Sequence, residues 1–413
     1  MSPKSAIILG AGMVGVASAL QLQRRGWSVA IVDRKEPGQE TSYGNTGIIQ
    51  REIVRPFAMP RDAAGLLEIA LGLTNDVHYR LRWLHRHVGP LARYWWHSAP
   101  ARHARISAAY AKLIRPAVAA HEEFIDAAGA ADLIRRKGYR HLHREPAAFA
   151  RAVAEAEELN REYGVAFRAL SADDLVREEP GLAMRVAGGA IHWLEPWTCL
   201  DPGGLVEAYA RLFQSRGGAI VRGEAATLAE AQAGWSVATS EGRLDAECVL
   251  VSLGPWSPEL LRRFGVRVSL VRKRGYHRHY RSNSGLRLPL VDKANGYGMA
   301  PMARGLRITT GAEFTGPDAP ATPVQLRRAE AAARELLALG EPVETDPWFG
   351  TRPCMPDMLP VVGAARGHRG VWMNFGHGHQ GFTLGPITGR LVAELMSGET
   401  PFADPHPYRP ERV

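Results

Sequence analysis

Cysteine is scarce in this sequence: Cys199, Cys248 and Cys354 are the only three, an odd number with no CxxC spacing. That excludes a disulfide framework, a zinc ribbon and a dithiol redox pair. Cys248, inside the strand-like AECVLVSLG, reads as a small buried hydrophobe. Long apolar runs are missing too, since none reaches the ~18 residues a membrane-spanning helix needs. The one stretch that looks like a leader, AIILGAGMVGVASALQL after Lys4, carries glycines at fixed spacing that suit a nucleotide-binding turn better than a signal peptide. The expected location is therefore the cytoplasm. Acid is absent from a whole segment: no Asp or Glu falls between Asp76 and Glu122.

What fills that gap is basic and aromatic. Arg80, Arg82, Arg86, Arg93, Arg102, Arg105, Lys112 and Arg115 lie there with six histidines and Trp83, Trp95 and Trp96, in a chain of net charge +9. Leu81, Leu84, Val88 and Leu91 recur at helical spacing, which predicts an amphipathic basic helix followed by another. A solvated helix face is the plainest reading. Attraction of residues 80–115 to anionic lipid headgroups on the inner face of a membrane is the next, and nucleic acid comes last because no recognition motif accompanies the charge.

With 413 residues the chain is longer than one core usually grows, so two domains are expected, interleaved in sequence. The N-terminal AIILGAGMVGVASALQLQRRGWSVAIVD reads as strand, tight turn, helix and second strand. Gly10, Gly12 and Gly15 form GxGxxG: the first allows the turn, the second lets backbone approach a pyrophosphate, and the third lets helix pack on strand. Asp33 ends the second strand where a ribose hydroxyl belongs.

An NAD-binding unit would continue strand and helix in quick alternation. Here the chain passes through RKEPGQETSYGNTGIIQ into the basic helical stretch, with no good strand before about residue 135. The Gly-, Ser-, Thr- and Asn-rich loop 38–47 suits an extended cofactor, which favours FAD. The nucleotide-binding part resumes later: 217–228 as strand and turn, 234–254 as a hairpin returning into a buried strand, and a helix from Pro255-Trp256-Ser257. A second GxGxxG and a CxxxxC are both absent, so a bound NAD(P)H partner is not expected.

Near the end, WMNFGHGHQGFTLGPITGR raises a choice between a metal site, a catalytic base and a close backbone approach to something flat. His377 and His379 have no local Cys, Asp or Glu to complete a metal site, and none is expected. The pattern ITGRLVAELMSG predicts an amphipathic helix stopping at Gly398. A helix start there would set unpaired amides against a ring that gains negative charge on reduction.

Together GAGMVGVASALQLQRRGWSVAIVD, TSYGNTG, VLVSLGPWS, RGYH, GYGMAPMARGLRITTGAEFTG, GTRPCMPDMLPVVG and GHGHQGFT, in this order, resemble the D-amino acid oxidase superfamily of flavoproteins, and within it the D-amino acid dehydrogenases. The resemblance runs almost end to end. It implies an α/β fold, a Rossmann-like FAD-binding domain (1–76, 200–258 and 345–413) interleaved with an α+β substrate domain built on an antiparallel sheet (77–199 and 259–344). It also implies that Gly10, Gly12, Met13, Val14, Gly15, Asp33 and Arg34 hold the ADP half of FAD. Thr41, Ser42, Asn45, Gly47 and Ile48 would line pyrophosphate and flavin. Backbone at Ala226 would meet adenine, with Gly254 and Trp256 beside it. Gly350, Arg352, Gly378, His379, Gly381, Phe382 and Thr383 would border the flavin.

In that resemblance Arg352 grips the substrate carboxylate, as suits a planar guanidinium in the rigid turn TRPCMPDMLP, and Tyr297 adds a phenol. Tyr276 and His277 are second choices, and His377 or His379 either assists the amine or serves as a structural hydrogen-bonding group. There are departures. Many relatives carry Asp-Gly where this chain has Asp357-Met358, and Ala, Ser or Met in place of Cys354. The cysteine that binds flavin covalently in some sarcosine-oxidising relatives falls opposite Gly350, so FAD is expected to be non-covalent.

The implied reaction is oxidative deamination of a D-amino acid, with electrons passing to a quinone or another acceptor. A glycine or sarcosine type oxidase using oxygen, a 2-hydroxy acid dehydrogenase and a flavin-bearing subunit of a larger complex remain as alternatives. The preferred side chain, the strictness of the D preference, the acceptor and the oligomeric state are not written in the motifs.

Overall fold

A computed structural model describes residues 4–183, 185–232, 234–281 and 285–412. The apolar N-terminal run forms β1 (Ser5–Leu9), the glycine turn opens α1 (Met13–Gln23), and β2 (Ser28–Asp33) follows. Downstream come α2 (Ala63–Ala70), capped by Asp62 accepting from the Gly65 amide, then α3 (Pro100–Ile114) and α4 (Ala117–Ala127). Strands β3 (Ala219–Arg222), β4 (Cys248–Val251), β5 (Val271–Tyr280), β6 (Tyr297–Met302), β7 (Gly305–Thr310), β8 (Trp348–Cys354), β9 (Val361–Ala364) and β10 (Val371–Phe375) precede the last long helix, α5 (Gly381–Ser397).

The first sheet has the order β3-β2-β1-β4-β10-β9. All its pairings are parallel except that of β9 with β10, and Ile8 stands between Ile31 and Leu250 at its centre. Strands buried on both faces need apolar side chains on both faces. Ile8 and Ile31 pack beneath α1 and α5, while Ile7, Leu9, Val249 and Val251 pack on the opposite side with Trp235 and Val237 of the 234–246 hairpin.

The second sheet has ten strands. Strand β5 is its hub, pairing antiparallel with β7 and with β8. It was expected to be antiparallel, and it is so except at two places: 290–292 runs parallel to 139–143, and 312–314 parallel to 77–79. Both exceptions join chain segments far apart in sequence, which no local pattern announces.

Other expectations are corrected. Short strands exist before residue 135, at Ile48–Ile49 and Val77–Tyr79, and each is held by a remote partner such as Thr198 or Phe314. The continuous basic helix is broken into Leu81–Leu84 and Val88–His97, and Leu81 and Val88 are exposed. Helices α3 and α4, placed by sequence in the substrate part, put Tyr110, Leu113 and Phe124 into the same core as Leu20 and Leu391 of α1 and α5. Helix α5 starts at Gly381, several residues before the ITGR pattern, with Pro386 inside it and Gly398 closing it in the left-handed conformation. Pro386 stands in the second turn, where its missing N–H frees the Phe382 carbonyl, and His121 Nε2 bonds that carbonyl at 2.9 Å instead. Cys248 lies on β4 but is only half-buried.

Candidate active site

One elongated cavity of about 1370 Å³ runs between the two sheets. An ordinary small-ligand site occupies about 300–1000 Å³, so there is room for a long cofactor with a small substrate at one end. At one end lie Asp33, Arg34, Ala226, Gly254 and Trp256. The Arg34 guanidinium stacks 4.7 Å from the Trp256 ring. Asp33 accepts from the amides of Ala11 at 2.7 Å and Lys35 at 3.0 Å, which holds the first turn in shape.

The middle is lined by Gly10, Gly12, Met13, Val14, Thr41 and Ser42. Gly10 has φ +111, and a Cβ there would lie 2.5 Å from the Ser252 carbonyl oxygen, so only glycine lets the turn pass. Helix α1 begins at Gly12 without a side-chain cap; Met13 donates to Ser42 Oγ at 3.0 Å. Such a terminus favours an anion.

Asn45, Ile48, Gly350, Arg352, Tyr276, Tyr297, His377, Gly378, His379, Gly381 and Phe382 line the far end. Helix α5 also starts there uncapped. Gly385 lies over Met13 and Gly389 over Ser18, so α5 and α1 run side by side in one direction and bring both N-termini to the cavity. Four buried polar atoms on cavity-lining residues have no well-formed hydrogen bond among the described residues: Thr74 Oγ1, Ser252 Oγ, Asn374 Oδ1 and Tyr297 OH, the last lying beside Arg144 and Asp292. Buried polar groups left unpaired are costly, and a bound molecule would satisfy them. Two helix starts that face the cavity, a turn that only glycine permits and these four atoms together fit the dinucleotide expected from the sequence.

Three expected contacts do not border the cavity. Gly15 packs α1 on the turn, since a Cβ there would sit 1.9 Å from the Gly10 carbonyl oxygen. Gly47, at φ +77, faces the Cys199 carbonyl, and Thr383 turns its hydroxyl to the Ile48 carbonyl and the Gln50 amide. His277 is not on the wall either; it stacks on Trp348 with ring centroids 4.7 Å apart.

Arg352 stands on β8, a strand and not the rigid turn expected; the turn begins only after Cys354. Nη1 and Nη2 donate to the carbonyls of Gly311 and Thr310 at 2.7 and 2.9 Å. No carboxylate pairs with it among the described residues. Tyr276 lines the cavity, but its hydroxyl is already used: it donates to Glu313 Oε2 at 2.7 Å and accepts from the Thr322 amide. The two histidines differ. His377 Nε2 bonds Thr388 Oγ1 at 2.9 Å, whereas His379 has, among the described residues, a ring contact with Phe57 and no side-chain hydrogen bond. Burial pushes both down to about 3, helped for His379 by Arg352 and Lys273, so each is neutral at ordinary pH.

Met358 is the described non-glycine residue with positive φ, at 64°. This is the position where relatives were expected to have glycine. Sequence reading missed Lys273, Gly275 and Lys293 on the cavity wall. The signal available was the alternation of β5, which puts residues 271, 273 and 275 on one face. It also missed a buried chain in which Trp193 Nε1 donates to His141 Nδ1, leaving His141 Nε2 to donate to the Tyr139 hydroxyl, which donates in turn to Glu52 Oε1 at 2.6 Å. No local motif marks it.

A family model described as FAD dependent oxidoreductase matches residues 5–395. A D-amino-acid oxidase of Bradyrhizobium diazoefficiens is 32% identical over 98% of each chain, and a D-amino acid dehydrogenase of Chromohalobacter salexigens is 30% identical over 97% of each. Among solved structures, glycine oxidase from Geobacillus kaustophilus superposes with TM-score 0.74 at 22% identity, over 99% of this chain and 98% of its own. That last likeness bears on the fold.

Proposed function

As the chain belongs to the FAD dependent oxidoreductase family, we propose that it is a D-amino acid dehydrogenase whose substrate lies at the Arg352 end of the cavity. FAD is its cofactor, and the general reaction is oxidation of an amine with FAD. The observation that carries the reading is the conjunction, on one cavity, of the Arg352 guanidinium, which has no carboxylate partner among the described residues, and the Tyr297 hydroxyl, which lies beside Arg144 and Asp292 without a well-formed hydrogen bond to either. A carboxylate would satisfy both.

FAD would supply a two-electron acceptor for the hydride that leaves Cα, and the α1 start, Ser42 and the adenosine-end residues would hold it without a covalent bond. Arg352 binds the substrate carboxylate, with its guanidinium oriented by the Gly311 and Thr310 carbonyls. Tyr297 donates a hydrogen bond to the same group; burial and then the Asp292 charge push its pKa up, so the phenol stays protonated. His379, neutral and free of other hydrogen bonds, accepts one from the amine and helps fix the Cα–H direction. The amine reacts as the free base: its lone pair forms the C=N bond as the C–H pair departs, and water hydrolyses the resulting imine to a 2-oxo acid and ammonia. Flavin reduction accordingly rises with pH between about 6 and 10.

The electron acceptor is a membrane quinone. Helix α2 buries none of its residues, and Leu67, Leu71, Leu73, Leu81 and Trp96 are exposed beside Arg82, Arg86, Arg93 and Arg102. No helix among the described residues is long and apolar enough to cross a membrane, so contact through this surface is peripheral. The relative named an oxidase favours oxygen as a second reading.

The test is anaerobic. D- and L-amino acids, glycine, sarcosine and 2-hydroxy acids are added to the purified yellow protein, and the flavin band near ~450 nm is followed. Bleaching by D-amino acids supports the proposal; bleaching by hydroxy acids alone, or by no amine, overturns it. Hydrogen peroxide on readmitting air, with no gain in turnover from added quinone, favours the oxidase.

A further inference from the structure

Lys273 and Arg352 stand directly opposite one another where β5 pairs antiparallel with β8. Opposite residues in such a pair send their side chains to the same face, and like charges placed there repel. Both line the cavity. The protein does little to relieve the repulsion: among the described residues Lys273 has no ion pair or hydrogen bond, and its ammonium meets only the ring faces of Tyr94 at 4.8 Å and Phe314 at 5.8 Å.

A third cation lies nearby. Lys293 sits 5.7 Å from the Phe57 ring, and that ring abuts His379 at 5.2 Å. Two carboxylates on the same wall are engaged elsewhere: Asp292 is held by Arg144 at 2.8 Å, and Asp76 faces Lys293, whose charge acts against the upward push of its burial; Glu68, also on the cavity, makes no ion pair with Lys273. One substrate carboxylate occupies one guanidinium. The charge of Lys273 has no ion pair among the described residues, and its immediate neighbours are the Tyr94 and Phe314 rings.

We infer that the preferred substrate carries a second carboxylate, on its side chain, and that Lys273 is the residue that reads it. The substrate class is then the acidic D-amino acids, D-aspartate or D-glutamate. This rests on the D-amino acid reading of the same cavity, with Arg352 taking the α-carboxylate.

The experiment compares kcat/KM of the holoenzyme for isosteric pairs, D-glutamate against D-glutamine and D-aspartate against D-asparagine. The charged member is expected to be favoured by about tenfold or more. Lys273→Met collapses the ratio toward one and Lys273→Arg keeps it. A binding readout needs no turnover: glutarate and its monoamide are titrated while the flavin absorbance is followed, with glutarate binding about tenfold tighter in the natural protein and not in Lys273→Met. Equal kcat/KM within each pair, or equal losses for both members in Lys273→Met, overturns the inference. If no D-amino acid reduces the flavin, the D-amino acid reading has failed; glutarate binding no tighter than its monoamide then overturns the role of Lys273 as well, and tighter binding sustains it.

Discussion

Gly275 lies beneath the guanidinium of Arg352: a Cβ built on it would come within 2.6 Å of Nη1 and 2.7 Å of Nη2. The glycine makes room for a planar group to lie flat against the strand while donating to the Thr310 and Gly311 carbonyls. Gly275→Ala tilts the guanidinium away from its carbonyls. Displacement of a positioning group by about 1 Å can cost ~100-fold in rate, so kcat/KM should fall about 10- to 100-fold while the melting temperature stays close to that of the natural protein.

Tyr297 presents a different case, a buried hydroxyl that lies beside Arg144 and Asp292 without a well-formed hydrogen bond to either. Tyr297→Phe removes an unsatisfied group, so stability should hold or rise. Carboxylate binding should weaken by about 1 kcal/mol, the usual worth of one hydrogen bond. Inhibitor titration beside thermal unfolding checks both halves, and a fall in stability without loss of affinity counts against the assigned contact.

Met358 adopts φ 64°, a conformation that costs an L-residue roughly 1 kcal/mol or more. Met358→Gly is therefore expected to stabilise the fold by about 1 kcal/mol, less the entropy glycine adds to the unfolded chain. Denaturant unfolding measures it. Met358 also touches the cavity, so flavin retention is followed in the same samples.

Glu52 is almost fully buried and accepts from Tyr139 OH at 2.6 Å, Gln50 Nε2 at 2.7 Å and the Arg51 amide at 2.9 Å. Burial outweighs these bonds and raises its pKa. A carboxyl whose folded pKa is raised keeps its proton at pH values where the unfolded chain has released it, so it lowers stability as pH rises above the ordinary glutamate range. Glu52→Gln should thus gain in melting temperature relative to the natural protein between pH 5 and pH 8. A difference that stays flat across that range counts against it.

The parts legible in the sequence were those encoded by neighbours in the chain. The turn at Gly10, the start of α1, Asp33 at the end of β2 and the hairpin 234–246 each follow from local pattern or from glycine chemistry. Thr383 and Gly47 were misplaced because a motif gives residues and not the direction in which they face. Lys273 was missed for a related reason: its meaning comes from Arg352, about eighty residues away, and from a strand register that only folding sets.

A close helix contact joins the two extremes of the chain: Gly385 and Gly389 of α5 sit against Met13 and Ser18 of α1, with no room for a side chain between them. A ribosome making this chain releases the phosphate-binding turn first and its partner helix near the end. The first sheet must wait likewise, since β10 and β9 are synthesised more than three hundred residues after β1. Cofactor loading is expected to follow translation, and a nascent chain halted before Gly381 leaves uncovered the part of α1 against which Gly385 and Gly389 pack.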